Sequence, residues 1–242
     1  MPKNSEDVIT KRKVVLILVE GASDKKALSL IETFYKSKNL KVYTTEGDIT
    51  SNGTTTVTNC TEVLKSIVKD FREDKKLEKD DIAEVIHIID TDGAFIPDDC
   101  IVVDKTLSDF YYTLDCIKAN SKRKVKIRND RKIEIIQKLL NTKKIDKAIN
   151  YRMFYMSCNL DHVLHNEINL DNTLKVQKAF EFRKKFNNNK SGFIEFFNSS
   201  ECKANGSYKA TWNFIQQEKN SLKRYNNWWI FLNELEAEEN KE

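Results

Sequence analysis

Six consecutive apolar residues, Val14-Val15-Leu16-Ile17-Leu18-Val19, end abruptly at Glu20 and Gly21. A run this short, unbroken and rich in β-branched side chains suits a strand covered on both faces, as in the middle of a parallel sheet. Helix and strand signals then alternate. Ser23 is placed to cap a helix, Asp24 suits its first turn, and Ala27, Leu30, Ile31 and Phe34 share one face. Lys41 to Thr45 reads as a second strand, and Glu46 to Asn59 as a polar loop containing Gly47 and Gly53. Val63, Leu64, Ile67, Val68 and Phe71 predict a helix from about Thr61, and Ile82 to Ile89 a third strand stopped by Asp90-Thr91-Asp92-Gly93.

Beyond Gly93 the pattern blurs. Ile101 to Val103 and Tyr111 to Ile117 read as short strands of an insertion spanning about residues 94–128. Asp130 to Leu140 is an amphipathic helix, Tyr151 to Met156 a fourth strand, and Leu160 to His165 the start of another helix. This alternation predicts an α/β domain over residues 1–168, a mostly parallel sheet with helices on both faces. Residues 169–242 show only helical patterns, predicting a helical C-terminal extension whose acidic tail (Glu234, Glu236, Glu238, Glu239, Glu242) frays.

Composition removes several classes of function. No apolar run approaches the roughly 18 to 20 residues that span a bilayer, so no membrane partner is expected, and the N-terminal segment has no apolar signal core, so secretion by that route is not expected. None of the 6 glycines belongs to a GxxxxGK[ST] phosphate loop, so the chain is not a self-contained P-loop NTPase. Cys60, Cys100, Cys116, Cys158 and Cys202 are odd in number and form no CxxC pair, which excludes a zinc ribbon or disulfide framework and makes a cytoplasmic location the expectation.

In a parallel sheet, functional groups collect beyond the carboxyl ends of the strands. Glu20 follows the first strand, Asp90 and Asp92 follow the third, and Asp24 sits four residues past Glu20. Carboxylates converging at one edge repel each other unless a cation neutralises them, and magnesium suits an all-oxygen site. Gly21 and Gly93 follow Glu20 and Asp92, where the backbone is expected to turn sharply.

The segment VVLILVEGASDKKAL, with VIHIIDTDGAF about 70 residues further on, resembles the TOPRIM domain. That resemblance covers roughly residues 13–167 and implies a Rossmann-like fold. It also implies a strand-end Glu and a DxD that bind magnesium, as in topoisomerases, primases and nucleases. Carried over by motif, Glu20, Asp90 and Asp92 would be catalytic, and Glu20, Asp24, Asp90, Asp92 and Asp161 would hold Mg2+ or Mn2+. Asp24 resembles the additional acid of the ExxxD form found in nuclease-type TOPRIM domains of the OLD family and related anti-phage effectors. Asp161 stands near the start of the helix after the fourth strand, where such relatives often carry an acid. The resemblance implies a metal-dependent nuclease acting on DNA or RNA (tRNA included), an effector with a separate ATPase partner. The alternative is a catalytically silent binding or regulatory subunit. A topoisomerase lacks room for a second domain bearing its tyrosine, and a primase would bring a zinc module. Oligomeric state, including a homo-oligomer, stays open.

Other chemistries fit less of the chain. IIDTDGAF also resembles the DxDG motif of haloacid-dehalogenase-like phosphatases, but that family places it on the first strand and pairs it with a later GDxxxD-type motif, absent here. A DxD also serves some glycosyltransferases, with nothing else here to support it. His87 reads as a strand or core residue; His162 and His165, at i and i+3, could share a metal, and Cys158 and His162 could pair as nucleophile and base. Charge is unevenly distributed. Residues 80–104 carry eight acids and no base, whereas residues 118–152 carry thirteen bases and three acids. The densest part, SKRKVKIRNDRK, offers Lys122, Arg123, Lys124, Lys126, Arg128, Arg131 and Lys132 for a phosphate backbone. Tyr111 and Tyr112 are candidates to stack on bases, Tyr151 is expected in the core before that role, and Trp212, Trp228 and Trp229 are expected to anchor helix packing or a partner interface.

Overall fold

Four parallel strands carry the architecture in a computed structural model that describes residues 13–36 and 40–240. In chain order the first elements are β1 (Lys13–Val19), α1 (Ala22–Leu28), α2 (Leu30–Phe34), β2 (Leu40–Glu46), α3 (Cys60–Lys75) and β3 (Ile82–Asp90). The middle of the chain forms β4 (Ile101–Val103), β5 (Tyr111–Tyr112), β6 (Ile117–Ala119), α4 (Lys122–Asn141), β7 (Lys144–Ile145) and β8 (Ile149–Ser157). The remainder gives α5 (Leu160–His165), α6 (Lys175–Phe186), α7 (Lys190–Asn198), α8 (Tyr208–Ile215), β9 (Tyr225–Asn226) and α9 (Trp229–Glu239).

The main sheet runs β2-β1-β3-β8-β7, with β9 on the end of β8. Strands β2, β1, β3 and β8 are parallel, and β7 and β9 are antiparallel to β8. The VVLILV run behaves as its composition demands. Val15, Ile17 and Val19 enter a core with the helices α1, α2, α6, α7 and α9, while Val14, Leu16 and Leu18 enter one with α3, α4 and α8. Each such side chain contributes on the order of 1.5–3 kcal/mol when fully buried. From β1 the chain moves outward to β2, then returns across β1 to β3. Connections therefore leave β1 and β3 in opposite directions and open a crevice at their carboxyl ends, where an α/β sheet binds its ligands.

Residues after 168 do not form a body of their own. Phe182, Phe186, Phe193, Phe197 and Trp228 join Ile17 and Ile86 in one core, and β9 extends the sheet. Trp228 is fully buried, with ring centroids 4.8 Å from Phe197 and 6.0 Å from Phe193. The acidic tail is helical to Glu239 rather than frayed. Glu234 pairs with Arg152 at 2.7 Å, Glu236 with Lys190 at 2.6 Å, and Glu239 with Lys190. Glu242 lies outside the described residues.

Three local expectations change. The cap of α1 is Gly21, not Ser23, and Asp24 Oδ2 accepts the Gly21 N–H at 3.0 Å. The insertion is a three-stranded sheet, β4-β6-β5, that closes before Ser121, because the basic run is already helix. Lys132 falls among the buried positions Val125, Ile135, Ile136 and Leu139 of α4, and the helix starts at Lys122 rather than Asp130, because its first two turns are mostly cations that offer no apolar stripe. No helix among the described residues is long and apolar enough to cross a membrane.

Candidate functional site

Leu18 lies opposite His87 in the β1–β3 ladder, so Glu20 and Asp90 leave neighbouring strands at nearly the same level. Beyond Asp90 the chain folds back through two left-handed residues, Asp92 (φ 49°) and Gly93 (φ 62°). Asp tolerates that conformation, whereas position 93 requires glycine: an added Cβ would lie 2.5 Å from Leu222 Cδ2. Gly21, by contrast, is extended and meets no such obstacle. The Thr91 N–H donates to Met156 O at 3.0 Å, the Asp92 N–H to Cys158 O at 2.7 Å, and the Thr91 hydroxyl to Ser221 O at 2.9 Å. The acidic turn is therefore held from β8 and from the C-terminal segment.

Two hydroxyls from the loop after β2 reach into the cluster. Thr50 donates to Glu20 Oε1, and Ser51 Oγ donates to Asp92 Oδ2 at 3.1 Å and stands 3.4 Å from Glu20 Oε2. From α4, Lys132 Nζ donates to Ser51 Oγ at 2.7 Å, pairs with Asp92 and lies 3.7 Å from Glu20 Oε1. The side chain of Lys132 is wholly buried. On the other side of Asp90, whose Oδ1 accepts the Leu160 N–H at 2.8 Å, Lys175 Nζ pairs with Asp161 Oδ2 at 3.1 Å. A cleft of about 290 Å³ opens here, lined by Asp90, Asp92, Tyr112, Asn159, Asp161 and Lys175 among others.

The acids do not share one electrostatic state. Burial, and then the charges of Asp92 and Asp48, hold Glu20 up at about 7, against the pull of Lys132 and the Thr50 hydrogen bond. Burial and the charge of Asp161 raise Asp24 to about 6. Asp90 is pushed well above the carboxylate range by burial and by Glu20, Asp24 and Asp92. Asp92 is held below it: burial opposes its charge, but Lys132, Arg128 and Ser51 together prevail. Burial likewise opposes the charge of Lys132, yet Asp92 and Glu20 raise its pKa and keep it an ammonium. This is a site of unequal carboxyls, the kind of environment in which proton-handling groups are found.

All five acids assigned by motif therefore stand around the same strand ends. The basic residues fare differently. Lys132 is no surface contact for a phosphate backbone, because its helical position turns it into the carboxylates. Arg131 donates to Ser51 O and Gly53 O, each at 3.1 Å, and Arg128 donates to Asp92 O at 2.7 Å while lying over the rings of Phe110 and Tyr112. Lys126 is paired with Asp98, leaving Lys122, Arg123 and Lys124 as the exposed members of the run. Residues 128, 131 and 132 share one helical face, and that face meets the sheet edge.

His87 and His162 are buried, and the half-buried His165 packs its ring against Phe182. His87 is buried, its Nδ1 2.8 Å from the Tyr151 hydroxyl, and burial lowers it to about 3; His162 is lowered to about 4 for the same reason. Cys158 makes no nucleophile pair with His162, which instead stands 3.5 Å from the Cys158 backbone N–H, and burial raises the thiol well above its ordinary value. Tyr151 is likewise core.

The donor set is all oxygen: carboxylates of Glu20, Asp24, Asp90, Asp92 and Asp161 with the hydroxyls of Thr50 and Ser51. Such a set fits a hard divalent cation. Among the described residues no three His, Cys, Asp or Glu side chains are gathered around one point, and Lys132 and Lys175 stand between the carboxylates. Sequence reasoning missed Thr50, Ser51, Lys132 as a site residue, and Lys175. The first two were accessible to the same strand-end logic, since their loop follows β2 at the same edge. No protein-family model, curated protein or solved structure gives a significant match to the chain.

Proposed function

We propose that this protein is a TOPRIM-type, divalent-cation-dependent nuclease that hydrolyses phosphodiester bonds of DNA or RNA. The observation that carries this reading is that Glu20, Asp90 and Asp92 stand at the adjoining ends of β1 and β3, with Asp24 and Asp161 in the first turns of α1 and α5. Glu20, Asp90 and Asp92, joined by Asp24 and Asp161, are the residues that would hold Mg2+ or Mn2+. A bound cation there would supply an activated water and neutralise charge on the phosphate. Glu20 would accept a proton at its carboxylate and return it. Thr50 and Ser51 fix the orientation of Glu20 and Asp92, Lys132 keeps Asp92 ionised, and Lys175 balances Asp161. The setting that goes with this reading is an anti-phage or toxin-like effector acting with a separate ATPase.

The test is cleavage of plasmid, single-stranded DNA and tRNA with Mg2+ or Mn2+. Glu20→Gln and Asp90→Asn should each lose activity by at least about 100-fold. Cleavage that survives both changes defeats the assignment. One observation favours a second reading, a catalytically silent binding or regulatory subunit: Lys132 already supplies a positive charge between Glu20 and Asp92. No cleavage of any substrate, even with a cognate ATPase present, would select it.

A further inference from the structure

Helix α6 begins at the acidic cleft and leads away from it. Its first residue, Lys175, lines the cleft, and the helix continues for about 14 Å to Lys184. Most helices here bury their apolar side chains, but α6 buries Ala179, Phe182 and Phe186 on one face and leaves Val176 and Phe180, four residues apart, each 57% exposed. One and two turns beyond Val176 on that side come Phe180 and then Arg183 and Lys184. Phe180, Arg183 and Lys184, with Leu30 and Asn187, line a shallow groove of about 250 Å³. Neither cation forms an ion pair among the described residues, and Arg183 Nε is buried with no hydrogen-bond partner. An unstacked aromatic ring beside two uncommitted cations, on a helix that starts at the candidate catalytic groups, has the chemistry of a single-strand track. The ring supplies a stacking face for any base, and the cations hold the phosphates either side of it. A duplex keeps its bases stacked inside and offers nothing to Phe180.

We propose that the exposed face of α6 binds an unpaired nucleic-acid strand, with Phe180 stacked on a base and Arg183 and Lys184 on its phosphates, leading that strand to the acidic cleft. This deepens the nuclease reading by naming unpaired strand as the substrate class. It also takes the binding surface away from α4, four of whose eight cations are committed to the site or to Asp98.

The test is fluorescence anisotropy with a labelled unstructured oligonucleotide and a duplex of the same length, on the full chain in EDTA so that cleavage plays no part. The single strand should bind more tightly than the duplex. Phe180→Ala should weaken it by about tenfold, within the range for loss of one base–aromatic stack, and Phe180→Trp should restore it. Arg183→Ala with Lys184→Ala should lower the slope of log affinity against log salt by about 1.4, the value for two phosphate contacts on a single strand. None of the three positions belongs to the core, and thermal melting should be unchanged in all variants. Equal affinity for duplex and single strand, or full affinity in Phe180→Ala, overturns the proposal. So does a loss of self-association in Phe180→Ala with binding unchanged, which would make a second copy of the chain the occupant. Glu20→Gln, assayed separately for cleavage, keeps the two readings apart: surviving cleavage fails the nuclease site, whereas unchanged binding in Phe180→Ala fails the track.

Discussion

Replacing Lys132 by Met asks whether the acids at the strand ends depend on a built-in cation. Met keeps the length of the side chain and removes its charge, taking from buried Asp92 the partner that holds it ionised and from Glu20 its positive neighbour. At the 3.7 Å separation from Glu20 and an effective dielectric of about 20, one unit pair is worth about 4 kcal/mol. Two effects reduce the net loss. The lysine's own desolvation cost disappears, and Glu20, held up near 7, is only partly charged at neutral pH. Removing one partner of a buried pair then costs about 3–5 kcal/mol. In a chain of 242 residues that is a fall in melting temperature of about 10 °C. The assay is thermal or urea unfolding at pH 8 in EDTA, repeated with Mg2+. Two further results should accompany the loss. Asp92→Asn in the Lys132→Met background should recover most of it, because a pair removed together leaves no orphan charge. A divalent cation at about 100 times its dissociation constant should add about 2.7 kcal/mol, and more to the variant than to the parent if both positive groups serve the same carboxylates. A Lys132→Met protein that melts within a degree of the parent in EDTA would refute the reasoning, as would an Asp92→Asn change that fails to compensate.

The same arrangement of groups leads to three other outcomes. Glu20 and Asp24 are raised from 4.5 and 3.8 to about 7 and about 6, so the folded site binds protons that the unfolded chain has released; its contribution to stability should fall as pH rises from about 4 through about 7. Calorimetry in EDTA across that window should show the fall, with Mg2+ flattening it, and a melting temperature rising with pH in Glu20→Gln relative to the parent would isolate the Glu20 share. Gly93→Ala imposes a side chain at φ 62° and 2.5 Å from Leu222, and should cost about 2 kcal/mol or more in urea unfolding. Trp228→Ala, emptying a fully buried site against Phe193 and Phe197, should cost about 3–5 kcal/mol in the single unfolding transition of the whole chain; an early separate transition would mean that the C-terminal helices are an independent body.

Strand-end chemistry was readable in the sequence because it is local. A β-branched run has one sensible place in an α/β fold, so Glu20 and Asp90 came with their position attached. The lysines carried no such mark. In SKRKVKIRNDRK seven cations look alike, and only the helix register shared with Val125, Ile135 and Leu139 distinguishes Lys132, which is buried, from Lys124, which is not. That register is hidden by the lysine itself, which breaks the apolar period. Thr50 and Ser51 lie in a loop with no period at all, and their role depends on where β2 delivers them. The phenylalanines from Phe182 to Phe197 do fall at helical spacing. Which side of which sheet they cover is long-range information that periodicity does not hold.

The Thr91 hydroxyl donates to the carbonyl of Ser221, the Ser157 hydroxyl to that of Asn220, and the Arg224 guanidinium to that of Val163. Nearly all the acids are thus synthesised long before the residues that brace them. On a ribosome, which releases the chain from its N-terminus onward, β1, β3 and β8 are in solution while residues 220–226 are still being added. The acidic turn gains its last supports only once residues 220–224 have been added. Chains cut short before residue 220 would carry every carboxylate of the site and still lack its finished geometry, so the order of translation delays the assembled cleft until residues 220–224 are free.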